Sequence, residues 1–154
     1  MTKTKIAKGF TLIELLVVIV IIGILATLAT VTLGSARGKA RDARRVSDVK
    51  QIQTALELYY NDAGGYPNLV SGDNPIYFGS TTYMTKVPNN AQPVDTSTTP
   101  ACLSTMATYP YSGTVSFVNG YMNTSYSLGY CLGGTTGSIS AGTHVATPGS
   151  IMNP

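Results

Sequence analysis

Tryptophan is absent from this chain of 154 residues, histidine occurs once and cysteine twice. The single histidine, His144, has no cysteine or carboxylate beside it in sequence, and no CxxC spacing exists, so the residues for a structural zinc site are missing. His144 is expected in a loop. The seven acidic residues are scattered, and Asp73 and Asp95 fall in separate loops, so no acid–base pair or activated nucleophile can be composed from them. The chain is therefore not expected to be an enzyme, and no cofactor or metal is assigned to it. Proline is missing before Pro67, which leaves a long stretch without a helix breaker. Charge is scarce as well. Glu14 is the only charged residue from Phe10 to Ala36, and Asp73, Lys86 and Asp95 are the only ones from Ala63 to Pro154. That second region is rich in Gly, Ser, Thr, Asn and Tyr. It suits an extracellular protein packed densely against its own copies, with low-complexity loop as the alternative.

The net charge of +3 and the pI of 8.9 mislead. Lys3, Lys5 and Lys8 supply the excess, and beyond residue 9 seven basic side chains balance seven acidic ones. A general affinity for nucleic acid does not follow.

What is present begins with a basic leader, residues 1–9, ending in Gly9. Residues 15–33 are apolar apart from three threonines and Gly23. At ~1.5 Å per residue this run nearly spans a ~30 Å hydrocarbon layer. Helical spacing continues beyond it. Ala36, Ala40, Ala43, Val46, Val49, Ile52, Leu56 and Tyr59 recur every three or four residues, and the charged residues from Arg37 to Lys50 fill the other faces as a solvated surface. Arg44 and Asp48 can pair at i, i+4. One helix is expected from about Phe10 to Asn61. The stretch NDAGGYPNLVSG ends it. Short strands are expected at 76–79, 114–119 and 126–132, where Tyr126, Leu128 and Tyr130 alternate with small or polar residues. Residues 88–101 read as a loop, and 133–154 as loop with one weak strand near His144–Ala146. An even cysteine count behind an export-type N-terminus favours a Cys102–Cys131 disulfide, closing a loop of roughly 30 residues and stabilising by ~3–4 kcal/mol; two free buried thiols are the alternative.

Three readings of the N-terminus compete. A cleaved secretory signal has a shorter apolar core and no use for Glu14. An uncleaved signal anchor, holding a binding domain that never polymerises, leaves Glu14 and the Gly9–Phe10 junction unexplained. KGFTLIELLVVIVIIGILA resembles the class III signal of type IV pilins and type II secretion pseudopilins: a basic leader, Gly-Phe-Thr, and a lone Glu inside an apolar run. The resemblance extends over residues 36–67, where the aromatic pair Tyr59–Tyr60 and the turn Gly64–Pro67 are similar to the end of that family's long helix.

The resemblance implies an α+β "ladle": a leader 1–9 that is removed, an apolar half-helix 10–35, an amphipathic half-helix 36–62, and a head 63–154 with a small antiparallel sheet packed on the second half-helix. It implies cleavage by prepilin peptidase between Gly9 and Phe10 and N-methylation of Phe10. The product would be a structural subunit, held in the inner membrane until an assembly platform and motor add it to a helical homopolymer at the cell surface, for adhesion, twitching or DNA uptake. A type II secretion pseudopilin is the alternative. A carboxylate in hydrocarbon costs ~2.5–3.5 kcal/mol. The family's answer is that Glu14 of an incoming subunit pairs with the Phe10 amine of one already in place. Snorkelling of Glu14 to headgroups is the competing account. The family's helix-breaking proline is lacking, so no unwound region is placed. Asp95 is a weak calcium candidate, since the usual acid- and Trp-bearing pattern is missing. The Ser/Thr run 96–99 and the Asn123-Thr124-Ser125 sequon are candidate glycosylation sites. Six basic residues between Arg37 and Lys50 outnumber the leader lysines, against the positive-inside rule; the class III motif overrides this count. The cluster is expected to meet headgroups and then acidic neighbours, with nucleic acid a lesser partner for want of a groove or stacking aromatics.

Overall fold

The computed structural model describes residues 9–94, 102, 108–115 and 123–152. It is an α+β chain: one long helix near the N-terminus, then small antiparallel sheets. Helix α1 covers Leu12–Ala63. Strands β1 (Ile76–Phe78) and β2 (Thr81–Met84) form a two-stranded sheet, and β3 (Tyr111–Val115), β4 (Asn123–Leu132), β5 (Gly142–Thr147) and β6 (Ser150–Met152) form a second in the order β3-β4-β5-β6. The chain divides into two units, Met1–Arg37 and Gly38–Pro154.

In the second unit the core lies between the buried face of α1 and one face of the four-stranded sheet. Val49, Ile52 and Leu56 from the helix meet Tyr126, Leu128, Tyr130 and Leu132 from β4 and Ala146 from β5. The period-2 pattern of β4 is what delivers four large side chains to one face. The helix stops because Gly64 takes φ 75°, and its N–H donates to the Tyr60 carbonyl at 2.8 Å, an αL cap that a β-carbon would strain.

The sequence stripe holds from Val49 onward, but Ala40 and Ala43 are exposed. The buried line instead runs through Asp42, Arg45 and Asp48. This corrects the solvated face expected for these residues. Each holds a loop. Asp42 accepts the N–H groups of Gly133 (3.0 Å) and Gly134 (2.8 Å). Arg45 pairs with Asp42, and it donates to Asn90 Oδ1 (2.8 Å) and to the carbonyls of Ala91 (2.6 Å) and Pro93 (3.0 Å). Asp48 accepts from the Tyr109 hydroxyl at 3.0 Å, and exposed Arg44 lies 3.8 Å from it. The reason is that irregular backbone, unlike a strand, brings unpaired N–H and C=O groups to the helix, and these must be satisfied. Arg45 is therefore withdrawn from the basic surface.

The tail from residue 133 departs furthest from expectation. It carries two strands, joined by Thr147-Pro148-Gly149-Ser150, with Gly149 at φ 71° and Thr147 paired to Ser150. Pro then Gly at the two central positions suits a type II turn. Gln53 Nε2 donates to the Thr147 and Ser150 carbonyls at 2.9 and 3.1 Å, fastening this hairpin to α1. His144 is no loop residue. It sits on β5, buried, with Nε2 donating to the Ser140 carbonyl at 2.8 Å and its ring 5.2 Å from that of Tyr130. Alternation puts Gly142, His144 and Ala146 on the core face. Of the strand expected at 114–119, residues 114–115 belong to β3 and the rest lie outside the described residues. So do Asp95, the Ser/Thr run and the remainder of the loop beyond 94.

The sequon reading is also corrected. Asn123 is buried at the start of β4. Its Nδ2 donates to the Pro67 carbonyl and to Asn68 Oδ1, both at 3.0 Å, while its carbonyl accepts the Tyr66 N–H at 2.8 Å. Gly113 makes room for this amide: a β-carbon there would stand 2.5 Å from Nδ2. A glycan on Asn123 would require the bracket to open.

Candidate functional site

The N-terminal unit holds the residues singled out for processing and assembly. Gly9, Phe10 and Thr11 precede the helix, and the Phe10 side chain is 83% exposed. The helix starts at Leu12 because Thr11 and Glu14 form a capping box. The Glu14 carboxylate accepts the Thr11 N–H at 2.8 Å and the Thr11 hydroxyl at 2.6 Å, and the Thr11 hydroxyl oxygen accepts the Glu14 N–H at 3.3 Å. Thr at N-cap and Glu at N3 satisfy two otherwise orphan donors reciprocally. A negative charge in the first turn also suits the helix dipole. Glu14 thus has a partner within its own chain, a role the assembly reading passes over. The spacing Thr11-Leu12-Ile13-Glu14 is the signal for it.

Beyond the cap the first half of the helix is apolar on every side. It is long and apolar enough to cross a membrane, and among the described residues nothing buries it. The polar residues in this stretch are internally satisfied. The hydroxyls of Thr27, Thr30, Thr32 and Ser35 donate to the carbonyls of Ile24 (2.7 Å), Thr27 (2.8 Å), Ala29 (3.0 Å) and Thr32 (3.0 Å). Such back-bonding hides hydroxyls from hydrocarbon at little cost. Gly23 and Gly34 have open space where a β-carbon would go, so nothing among the described residues requires them.

The other residues singled out lie in the second unit. Cys102 and Cys131 form a disulfide, Cα to Cα 5.7 Å, both buried. Among the described residues no three of His, Cys, Asp and Glu gather in one place. The exposed ion pair Lys86–Asp73 (2.8 Å), with Asn89 donating to Asp73 at 2.7 Å, holds the Asp73 carboxyl below its usual range.

Five tyrosines of this unit hold their phenolic protons more tightly than free phenols do. Burial pushes the Tyr126 and Tyr130 phenols up to about 12. Burial raises Tyr66 and Tyr109 as well, reinforced by Glu57 and Asp48 respectively, and it raises Tyr111. The unfolded chain releases these protons near pH 10, before the folded one does. Above pH 10 the unfolded state therefore binds fewer protons, and stability falls as pH rises. In an alkaline titration of the full chain in detergent, tyrosinate absorbance from these rings should grow together with loss of the sheet signal in circular dichroism. Full ionisation with the sheet intact would refute the assignment.

The first part of the helix is thus capped, internally satisfied, and long and apolar enough to cross a membrane. Residues 4–30 match the prokaryotic N-terminal methylation motif, the class III signal of type IV pilins and pseudopilins. The match covers 27 of the 154 residues and shows the motif alone. No curated protein and no solved structure matches the chain.

Proposed function

We propose that this chain is the structural, non-catalytic subunit of a type IV pilus. Prepilin peptidase cuts it after Gly9, Phe10 is N-methylated, and the subunit waits in the inner membrane until the assembly platform and motor add it to a surface filament serving adhesion, twitching or DNA uptake. The observation that carries this reading is the methylation motif on a helix that is apolar enough to cross a membrane and exposed among the described residues. Such a helix needs lipid or other helices around it, and the two are of similar polarity, so exchange between them is feasible. Identical subunits joined by a contact that does not close give an open helical polymer. Glu14 of an incoming subunit pairs with the Phe10 amine of its predecessor, which offsets the cost of the carboxylate. The open space at Gly23 and Gly34 lets neighbouring helices approach closely.

Intact mass and N-terminal sequencing of the native protein test this. A chain starting at N-methylated Phe10 and abundant in the sheared surface fraction is the expected result. The same processed chain found only in membranes would favour a pseudopilin, and an unprocessed chain would leave a signal anchor.

A further inference from the structure

The end of α1 carries an aromatic arrangement outside the residues assigned above to processing and assembly. The rings of Tyr60 and Tyr66 lie 4.7 Å apart at 38°, and Tyr66 is in turn 4.8 Å from Tyr126. Tyr60 is 38% exposed, whereas Tyr66 is buried. The Tyr66 hydroxyl lies 3.0 and 3.1 Å from the two carboxylate oxygens of Glu57, to which it donates. A phenol is hard to oxidise while it keeps its proton, because the radical cation is a strong acid. A carboxylate already accepting that proton removes the obstacle. We propose that Tyr60 and Tyr66 are an oxidative modification site, with Glu57 as the proton acceptor, and that they couple into an intramolecular dityrosine under a haem peroxidase supplied with hydrogen peroxide.

The oxidant removes one electron at exposed Tyr60, and the hole passes to Tyr66, whose phenolic proton moves to Glu57. A second electron leaves Tyr60 and its phenolic proton goes to water. The two radicals join through ring carbons ortho to the hydroxyls. The two ortho hydrogens then shift to the phenolic oxygens, restoring both rings. Glu57 then gives its proton to water, so the chain loses two hydrogens in all, and one peroxide becomes two waters. The new bond ties the last turn of α1 to the segment that pairs with β4 through Tyr66 and Asn123.

The test treats the full chain in detergent with a peroxidase and hydrogen peroxide. The expected result is dityrosine fluorescence, a mass loss of two hydrogens beyond those of the disulfide, and a cross-linked peptide joining residues 60 and 66. Tyr60→Phe and Tyr66→Phe, which keep the rings, should each reduce the product to background. Glu57→Gln should slow it several-fold while circular dichroism is unchanged. Cross-links that persist in either Phe variant, that map to Tyr59 and Tyr83, or that join separate chains instead would overturn the proposal. So would a Glu57→Gln variant that couples at the wild-type rate.

Discussion

Glu14→Ala should abolish surface filaments while the processed protein accumulates in the membrane. Two effects of Glu14 must be told apart. The first is local. The carboxylate completes the cap with Thr11, and losing a cap costs ~1 kcal/mol, which frays one turn. The second belongs to the proposed assembly step, where removing one partner of a buried ion pair costs about 3–5 kcal/mol. That is roughly two to four orders of magnitude in each subunit's association. Glu14→Gln separates the two, since glutamine serves at N3 of a capping box but carries no charge. Both variants should be bald by electron microscopy, with membrane levels unchanged. Filaments on the Gln variant would sink the pairing idea and leave Glu14 as a cap.

The second large effect concerns Arg45→Met. Its guanidinium is buried, pairs with Asp42 and holds three acceptors of the 90–93 segment. Met fills the volume but leaves Asp42 with its charge uncompensated, and takes the guanidinium donors away from those acceptors. The loss should be about 3–5 kcal/mol, read as a shifted midpoint in denaturant with tyrosine fluorescence as probe. Adding Asp42→Asn should recover part of it, because the amide oxygen can still accept from Gly133 or Gly134 while the stranded charge is gone. A single variant within ~0.5 kcal/mol of wild type would show that the pair behaves like a surface one.

These two residues also mark how far the sequence could be read. The helix was legible because apolar periodicity ran on without a proline, and β4 because Tyr126, Leu128 and Tyr130 alternated. The methylation motif was legible because a lone acid in an apolar run has few explanations. Asp42, Arg45 and Asp48 were not, because charges at helical spacing look the same whether they face water or a loop's backbone. Only the loops' arrival distinguishes the cases. Of the β5–β6 hairpin only the weak strand near His144–Ala146, inside β5, is legible, since strands of six and three residues give little periodicity. Asn123 was misjudged for a related reason. A sequon names an acceptor chemically, but whether the amide is free depends on Pro67 and Asn68, far away in sequence.

The grip of Asp42 on the β4–β5 connection has a consequence for local breathing. Connections normally trade their amide hydrogens with solvent quickly, because small openings suffice. Gly133 and Gly134 sit past the end of β4, yet their N–H groups are held by a buried carboxylate. Releasing them means lifting the connection off the helix. Their exchange with deuterium should therefore be as slow as that of Leu128 and Tyr130, while Gly137, on the same connection at φ 62° and exposed, should label within the dead time. Two glycines in a loop then become reporters of the opening of the whole unit.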